Sequence, residues 1–232
     1  MKPVREPLLI INCKNYGLTG ELGMSVAKAA VSVLDERRAA GKRRVAVAVA
    51  VPATDVYRVA KLGLVPVFAQ HLDPETSGAT TGHVIAENLV ANGAAGSLLN
   101  HAEDPYEEHE LASALERARN NGLMSVACAK DADEAFRIAR HKPDFIAIEP
   151  PELIGGEVSV SNAQPSIITD TIVKVRQVAA VPVLVGAGVK NAEDVRKGLL
   201  LGAYGVLVAS GVTKARDVAA AIRELLDGFD EE

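Results

Sequence analysis

Three side chains able to move or steady a proton stand at the ends of apolar runs. Glu149 closes FIAIE (145–149), His101 follows GSLLN (96–100), and Lys14 lies two residues beyond Asn12, the end of LLIIN (8–12). A carboxylate, an imidazole and an ammonium brought to one place are the parts of a proton-transfer site: a base, an electrophile and a counter-charge. Each has a plainer reading alone. A lysine tip is usually solvated, a histidine after a strand caps or packs, and a glutamate before Pro150 and Pro151 can cap a turn. The recurrence of polar groups at equivalent positions is what favours chemistry. Side chains alternate along a strand, so Asn12 and Lys14 share one face while Cys13 points away. Gln70 closes VPVFAQ (65–70) in the same manner.

Two other runs end on small residues. VPVLVGAGV (181–189) and GVLVAS (205–210) present Gly188, Ala209 and Ser210 with little side chain over their backbone amides. Glycine lets a backbone approach a ligand closely, and amides at a helix start can hold an anion. Each loop alone reads as a tight turn; the pair reads as a phosphate site.

These groups need a scaffold that sets strand ends side by side. Eight apolar runs recur: 8–12, 44–50, 65–70, 96–100, 124–129, 145–149, 181–186 and 204–210. They are unbroken rather than alternating, as expected of parallel strands covered on both faces. Segments with apolar residues at helical spacing follow them: Val26, Ala29, Ala30 and Val33; Leu111, Leu115 and Ala118; Val195, Leu199 and Leu200; Val218, Ile222, Leu225 and Leu226. Asp104, with Pro105 and Glu107 behind it, reads as a helix start, as does Asn191 before Glu193 and Asp194. A start at Asp104, just beyond His101, would favour the neutral ring, whereas the acids Glu103, Asp104, Glu107 and Glu108 would favour the charged one. The pattern predicts an α/β fold of one domain over 1–232, a closed (β/α)8 barrel with its site at the carboxyl ends of the strands. An open doubly wound sheet is the alternative; the missing G-x-G-x-x-G after the first run counts against it.

Composition narrows the partners. The net charge is −5, and the one basic cluster, Lys42-Arg43-Arg44, suits a helix end better than nucleic acid. Two cysteines among 232 residues fit a reducing compartment rather than a disulfide framework. No run reaches the ~18 apolar residues of a membrane span, and the apolar stretch near the start is too short for a signal peptide. The expectation is a cytoplasmic protein with neither membrane nor nucleic-acid partner.

INCK (11–14), AQHLDPETSGATTGHV (69–84), LLNHAE (98–103), AIEPPELIGG (147–156), GAGV (186–189) and GVLVASGVTKA (205–215) together carry a stronger signal. In this order they resemble the triose-phosphate isomerase family in its short archaeal form, from the first strand to the last helix. The resemblance implies interconversion of dihydroxyacetone phosphate and glyceraldehyde 3-phosphate through an enediolate, with no cofactor and no metal. It implies Glu149 as base, His101 as electrophile, and Lys14 and Asn12 as the groups that hold the substrate oxygens, with Cys13 between them. Glu103 matches an acid standing behind these groups. Residues 150–157 match a lid with a stiff proline start, an apolar cover from Leu153 and Ile154, and a flexible exit at Gly155 and Gly156 that offers an amide to phosphate. Gly188, Ala209 and Ser210 match the phosphate loops.

The segment 71–84 matches a loop that reaches into a neighbouring subunit, implying self-association as a dimer or tetramer. His71 and His83 within it read as interface or surface groups rather than metal ligands, for want of a third ligand at a suitable spacing. His109 and His141 read as solvated. Two departures stand out: Ala102 replaces a usual serine beside the histidine, and Gly156-Glu157 replaces a usual Thr-Gly at the lid's exit. A different phosphate-binding barrel enzyme and an inactive isomerase-like scaffold are the remaining alternatives.

Overall fold

The computed structural model describes residues 6–16, 20–156 and 159–230. Eight parallel strands close into a barrel in chain order: β1 (Leu8–Asn12), β2 (Ala46–Val51), β3 (Val67–Ala69), β4 (Gly96–Leu99), β5 (Met124–Ala129), β6 (Phe145–Ile148), β7 (Val183–Val185) and β8 (Gly205–Val208). Closure is made by β8 pairing with β1, Leu8 opposite Gly205 and Ile11 opposite Val208. The open sheet is therefore excluded.

Helices occupy the outside: α1 (Glu21–Ala39), α2 (Val56–Ala60), α3 (Ala86–Ala91), α4 (Glu108–Asn120), α5 (Ala132–Ala139), α6 (Val160–Ala163), α7 (Pro165–Arg176), α8 (Ala192–Leu200), α9 (Ser210–Thr213) and α10 (Val218–Asp227). None of them, among the described residues, is long and apolar enough to cross a membrane.

Alternation along each strand divides the core in two. Leu8, Ile10, Ala48, Phe68, Leu98, Val126, Phe145, Ala147, Leu184 and Leu207 fill the barrel, while Leu9, Ile11, Val47, Val49, Leu99, Ile146, Ile148 and Val206 face the helices. The inward parity carries past the strand ends: Leu8 and Ile10 lead to Asn12, and Phe145 and Ala147 lead to Glu149. Polar groups are thus delivered to the mouth of the barrel by the same period that fills its interior.

Several local expectations change. The helix after β4 starts at Glu108, with Glu107 as its N-cap and the Glu110 carboxylate accepting from the Glu107 amide at 3.2 Å. Asp104 instead closes a turn, donating its N–H to the His101 carbonyl at 2.8 Å, so no helix start adjoins His101. On α8, Gly198 takes an inward position beside Val195, and Leu200 stands 81% exposed. Asn191 does cap α8, its side chain accepting from Asp194 N at 2.9 Å. In the basic cluster Lys42 pairs with Asp227 and Asp230 and Arg43 donates to the Phe229 carbonyl, both against the far end of the chain, while Arg44 pairs with Glu6 near its start.

The closing seam and the tie between α1 and α10 can each be tested by substitution. A Cβ at Gly205 would lie 2.0 Å from the Leu8 carbonyl oxygen, backbone that cannot yield without opening the closing seam. Gly205→Ala is expected to cost about 2–3 kcal/mol, read as a drop of about 5–10 °C in Tm. The second concerns Arg37, buried and bonded to Asp227 (3.0 Å) and Asp230 (2.6 Å), which ties α1 to the end of α10. Burial pushes the Asp230 carboxyl up, but Arg37 and Lys42 outweigh it and hold it below the ordinary range. A depressed folded value gives stability that is complete above the unfolded value, near pH ~4, and is lost as pH falls through the folded one. Thermal melts between pH 6 and 3 should therefore show a shallower acid loss in Arg37→Met than in the wild type.

Candidate active site

Lys14 is built first. Its backbone is left-handed (φ 47°), a conformation costly for a side-chain-bearing residue. Three hydrogen bonds hold it there. The Lys14 N–H donates to Asn12 Oδ1 at 2.9 Å, and Gln70 Nε2 donates to Asn12 Oδ1 and to the Lys14 carbonyl, both at 3.1 Å. Gln70, which the sequence marks only as another polar strand end, is thus the brace of β1's terminus. The Lys14 ammonium is paired with Glu103 Oε1 at 2.5 Å.

His101 follows Asn100, another non-glycine residue at positive φ (57°), whose side chain donates to the Cys128 carbonyl and accepts from Tyr106 N. The Glu103 N–H donates to His101 Nδ1 at 3.1 Å. A nitrogen that accepts a hydrogen bond carries no proton, so the ring is the neutral tautomer with its N–H on Nε2. This backbone amide does what the expected helix start does not.

His101 Nε2 faces Glu149 Oε2 at 3.8 Å, beyond hydrogen-bond reach. Glu149 is buried, and this oxygen has no hydrogen-bond partner. Behind it lies Cys128, whose thiol is pushed well up by burial and then by the Glu149 charge, and so stays protonated as an S–H donor to the carboxylate. Gly186 forms the other wall: a Cβ there would lie 2.2 Å from Glu149 Cγ and 2.6 Å from Oε1. Neither neighbour was marked for this role by its residue type.

One cavity joins these groups. It is lined by Asn12, Lys14, His101 and Glu149 on one side, by Ile154 and Gly155 of the segment after β6, and by Gly188, Ala209 and Ser210 on the other. Tyr16, Ala187, Lys190 and Gly211 also line it and were not anticipated. Cys13 is not among its lining residues. Its side chain packs in the outer core, where burial and then Asp55 push the thiol up to about 12; placing it among substrate-binding side chains is corrected. Glu103 stays behind the cavity, touching both Lys14 and His101.

The sequence model of Triosephosphate isomerase matches residues 7–225. The chain belongs to the triosephosphate isomerase family. Family members similar to it include the triosephosphate isomerase of Cenarchaeum symbiosum, 44% identical over 222 residues (95% of this chain and 97% of that one). That of Methanocaldococcus jannaschii is 38% identical over 221 residues, 94% of this chain and 98% of the relative. A crystal structure of triosephosphate isomerase from Bartonella henselae superposes with a TM-score of 0.73 over 96% of this chain and 97% of that one, at 17% identity, which speaks to the fold.

Two family-derived expectations remain to be placed. Glu157, the unusual residue at the lid's exit, lies outside the described residues. In the 71–84 segment the absence of further ligand groups near the histidines is corrected. Asp73, Glu75 and His83 bring ligand atoms within 4.8 Å of one another. Asp73 there contacts His71 Nε2 (3.1 Å) and His83 Nδ1 (3.5 Å) and accepts from Val84 N (2.5 Å), which closes the loop on itself.

The close approach of Gly186 gives a test. Gly186→Ala must displace the Glu149 carboxylate, and a misplacement of about 1 Å at a reacting group costs on the order of a hundredfold in rate. The expected outcome is that loss of isomerase turnover with the fold intact by circular dichroism. A crystal structure of the variant should show the carboxylate moved.

Proposed function

We propose that the protein interconverts dihydroxyacetone phosphate and D-glyceraldehyde 3-phosphate, with Glu149 moving the proton between C1 and C2. The observation that carries this reading is the bare, buried Glu149 oxygen facing His101 Nε2 across a cavity that also holds Lys14. An unpaired carboxylate oxygen facing the cavity is free to take a substrate proton. The neutral His101 offers its Nε2–H to the substrate carbonyl and so stabilises the enediolate as charge develops. Lys14 supplies a positive charge in the same cavity. A unit pair at ~4 Å and an effective dielectric near ~20 is worth about 4 kcal/mol, roughly a thousandfold if realised only in the transition state.

The phosphate is assigned to the other wall, where Gly155, Gly188, Ala209 and Ser210 line the cavity. The family's shared chemistry supports that assignment, and so does the scarcity of side chain over these amides. Ile154 beside Gly155 gives the cover an apolar face, and Pro150 and Pro151 stiffen its start. Self-association through the 71–84 segment and a cytoplasmic setting belong to this reading as further proposals, resting on the motif AQHLDPETSGATTGHV and on the family.

A coupled assay on D-glyceraldehyde 3-phosphate tests the assignment. Glu149→Asp shortens the base and His101→Gln removes the ring, and each should lower kcat/KM by about two to four orders of magnitude. Equal rates in all three proteins would overturn the roles given to both residues.

A further inference from the structure

Ile154 and Gly155 line the cavity, and the next described residue after Gly156 is Ser159. From there the chain is held by a single buried carboxylate. Asp194, on the first turn of α8 and only 5% exposed, accepts from Ser159 Oγ at 2.6 Å and Asn162 Nδ2 at 2.7 Å through Oδ1. Through Oδ2 it accepts from the Lys190 N–H at 3.0 Å. Its carbonyl takes Ser161 Oγ at 3.2 Å, and Ser159, Ser161 and Asn162 are bonded among themselves at 3.0 Å. Both serines are buried.

The second oxygen reaches a different part of the site. Lys190 ends the loop after β7, whose Ala187, Gly188 and Val189 line the cavity. Ala187 is a left-handed non-glycine (φ 65°), and its carbonyl accepts from Val160 N at 3.2 Å, again from the chain just past the cover. A strained backbone persists only where its surroundings over-determine it. Here two hydrogen bonds do so, one directly from Val160 and one through Asp194.

We propose that Asp194 is a positioning residue that ties the loop after β7 to the chain at Ser159–Asn162, so that the Gly188 wall of the phosphate subsite is set by one carboxylate. This rests on the phosphate assignment above. It differs from a purely structural network in one consequence: Asp194 holds the far end of the loop, at Lys190, and shares no hydrogen bond with Glu149 or His101 among the described residues, so loosening it harms the grip on phosphate more than it harms those two. A carboxylate suits the task because each oxygen can serve a different segment, and its charge strengthens every bond it accepts. An asparagine of the same shape keeps one acceptor and turns a donor toward the other segment.

The test compares kcat/KM for D-glyceraldehyde 3-phosphate with that for unphosphorylated D-glyceraldehyde in the full-length protein, with inhibition by inorganic phosphate alongside. In Asp194→Asn the ratio of the two should fall by about tenfold or more, in the range of site-to-site coupling, and phosphate should inhibit more weakly. Ser159→Ala, which removes one bond and no charge, should lower the ratio by a smaller factor; it decides the matter if Asp194→Asn does not fold. Equal losses on both substrates, or an unchanged ratio, overturn the proposal. A wild type inactive on the phosphorylated triose would instead overturn the function proposed above, so the two failures are separable.

Discussion

A carboxylate oxygen shielded from water and given no donor is an expensive thing to hold, by about 1–3 kcal/mol or more when charged. The bare Glu149 oxygen is such a group, and the rest of the site can be read as the means of keeping it so. Gly186 leaves room for its methylene stem, Cys128 lends a thiol too buried to ionise, and His101 stops 3.8 Å short. Ordinary packing would satisfy that oxygen with a nearby hydroxyl or amide. The stability forgone there is repaid across the molecule by the apolar surface that the two concentric cores bury.

The barrel makes this arrangement affordable in sequence terms. Inward parity along β1 and β6 ends on Asn12 and Glu149 without any special turn, so only the positions past the last ladder bonds need unusual backbone. Three of the four left-handed non-glycine residues described fall there, Lys14, Asn100 and Ala187 just beyond strand ends; the fourth, Lys142, follows α5. Each of those three is tied down by a side chain or amide from a neighbouring element, Gln70 for Lys14, Tyr106 N for the Asn100 side chain and Val160 N for Ala187. For Lys14 the restraint comes from the end of another strand, Gln70 after β3, and the Asn100 side chain also donates to Cys128 of β5, so neighbouring strands must be in place for the site as well as for the fold.

This division explains what could be read from residues alone. Unbroken apolar runs reveal a two-sided buried strand, and period two then reveals that Asn12 and Glu149 face in; His101 shares the outward parity of Leu99, follows the left-handed Asn100, and is marked in the sequence by the motif LLNHAE rather than by alternation. Groups acting through backbone or through absence were not legible. The Glu103 amide that fixes the His101 tautomer has no sequence signature, and the apparent start at Asp104 led instead to a helix that begins at Glu108. Gly186 matters for the side chain it lacks. Cys13, next to two cavity residues in sequence, faces the outer core because alternation turns it away. Leu200 fits a helical period yet is exposed, because Gly198 lets the helix approach β7 instead, within 3.3 Å of Val185 by its would-be Cβ.

Glu103 shows how a charged site can be both ordered and available. Its backbone amide sets the imidazole, while its carboxylate, 58% exposed, pairs with a Lys14 side chain that is 11% exposed. A pair with one partner this open to water is worth at most about 1 kcal/mol. It is enough to keep the ammonium from wandering and too little to compete with a dianion in a drier setting. The same lysine can therefore be held by Glu103 before substrate arrives and surrender to substrate at small cost. A fully buried partner would have trapped it, since removing one member of a buried pair costs several kcal/mol. Exposure of the acid, rather than its mere presence, is what lets Lys14 serve the reaction assigned to it.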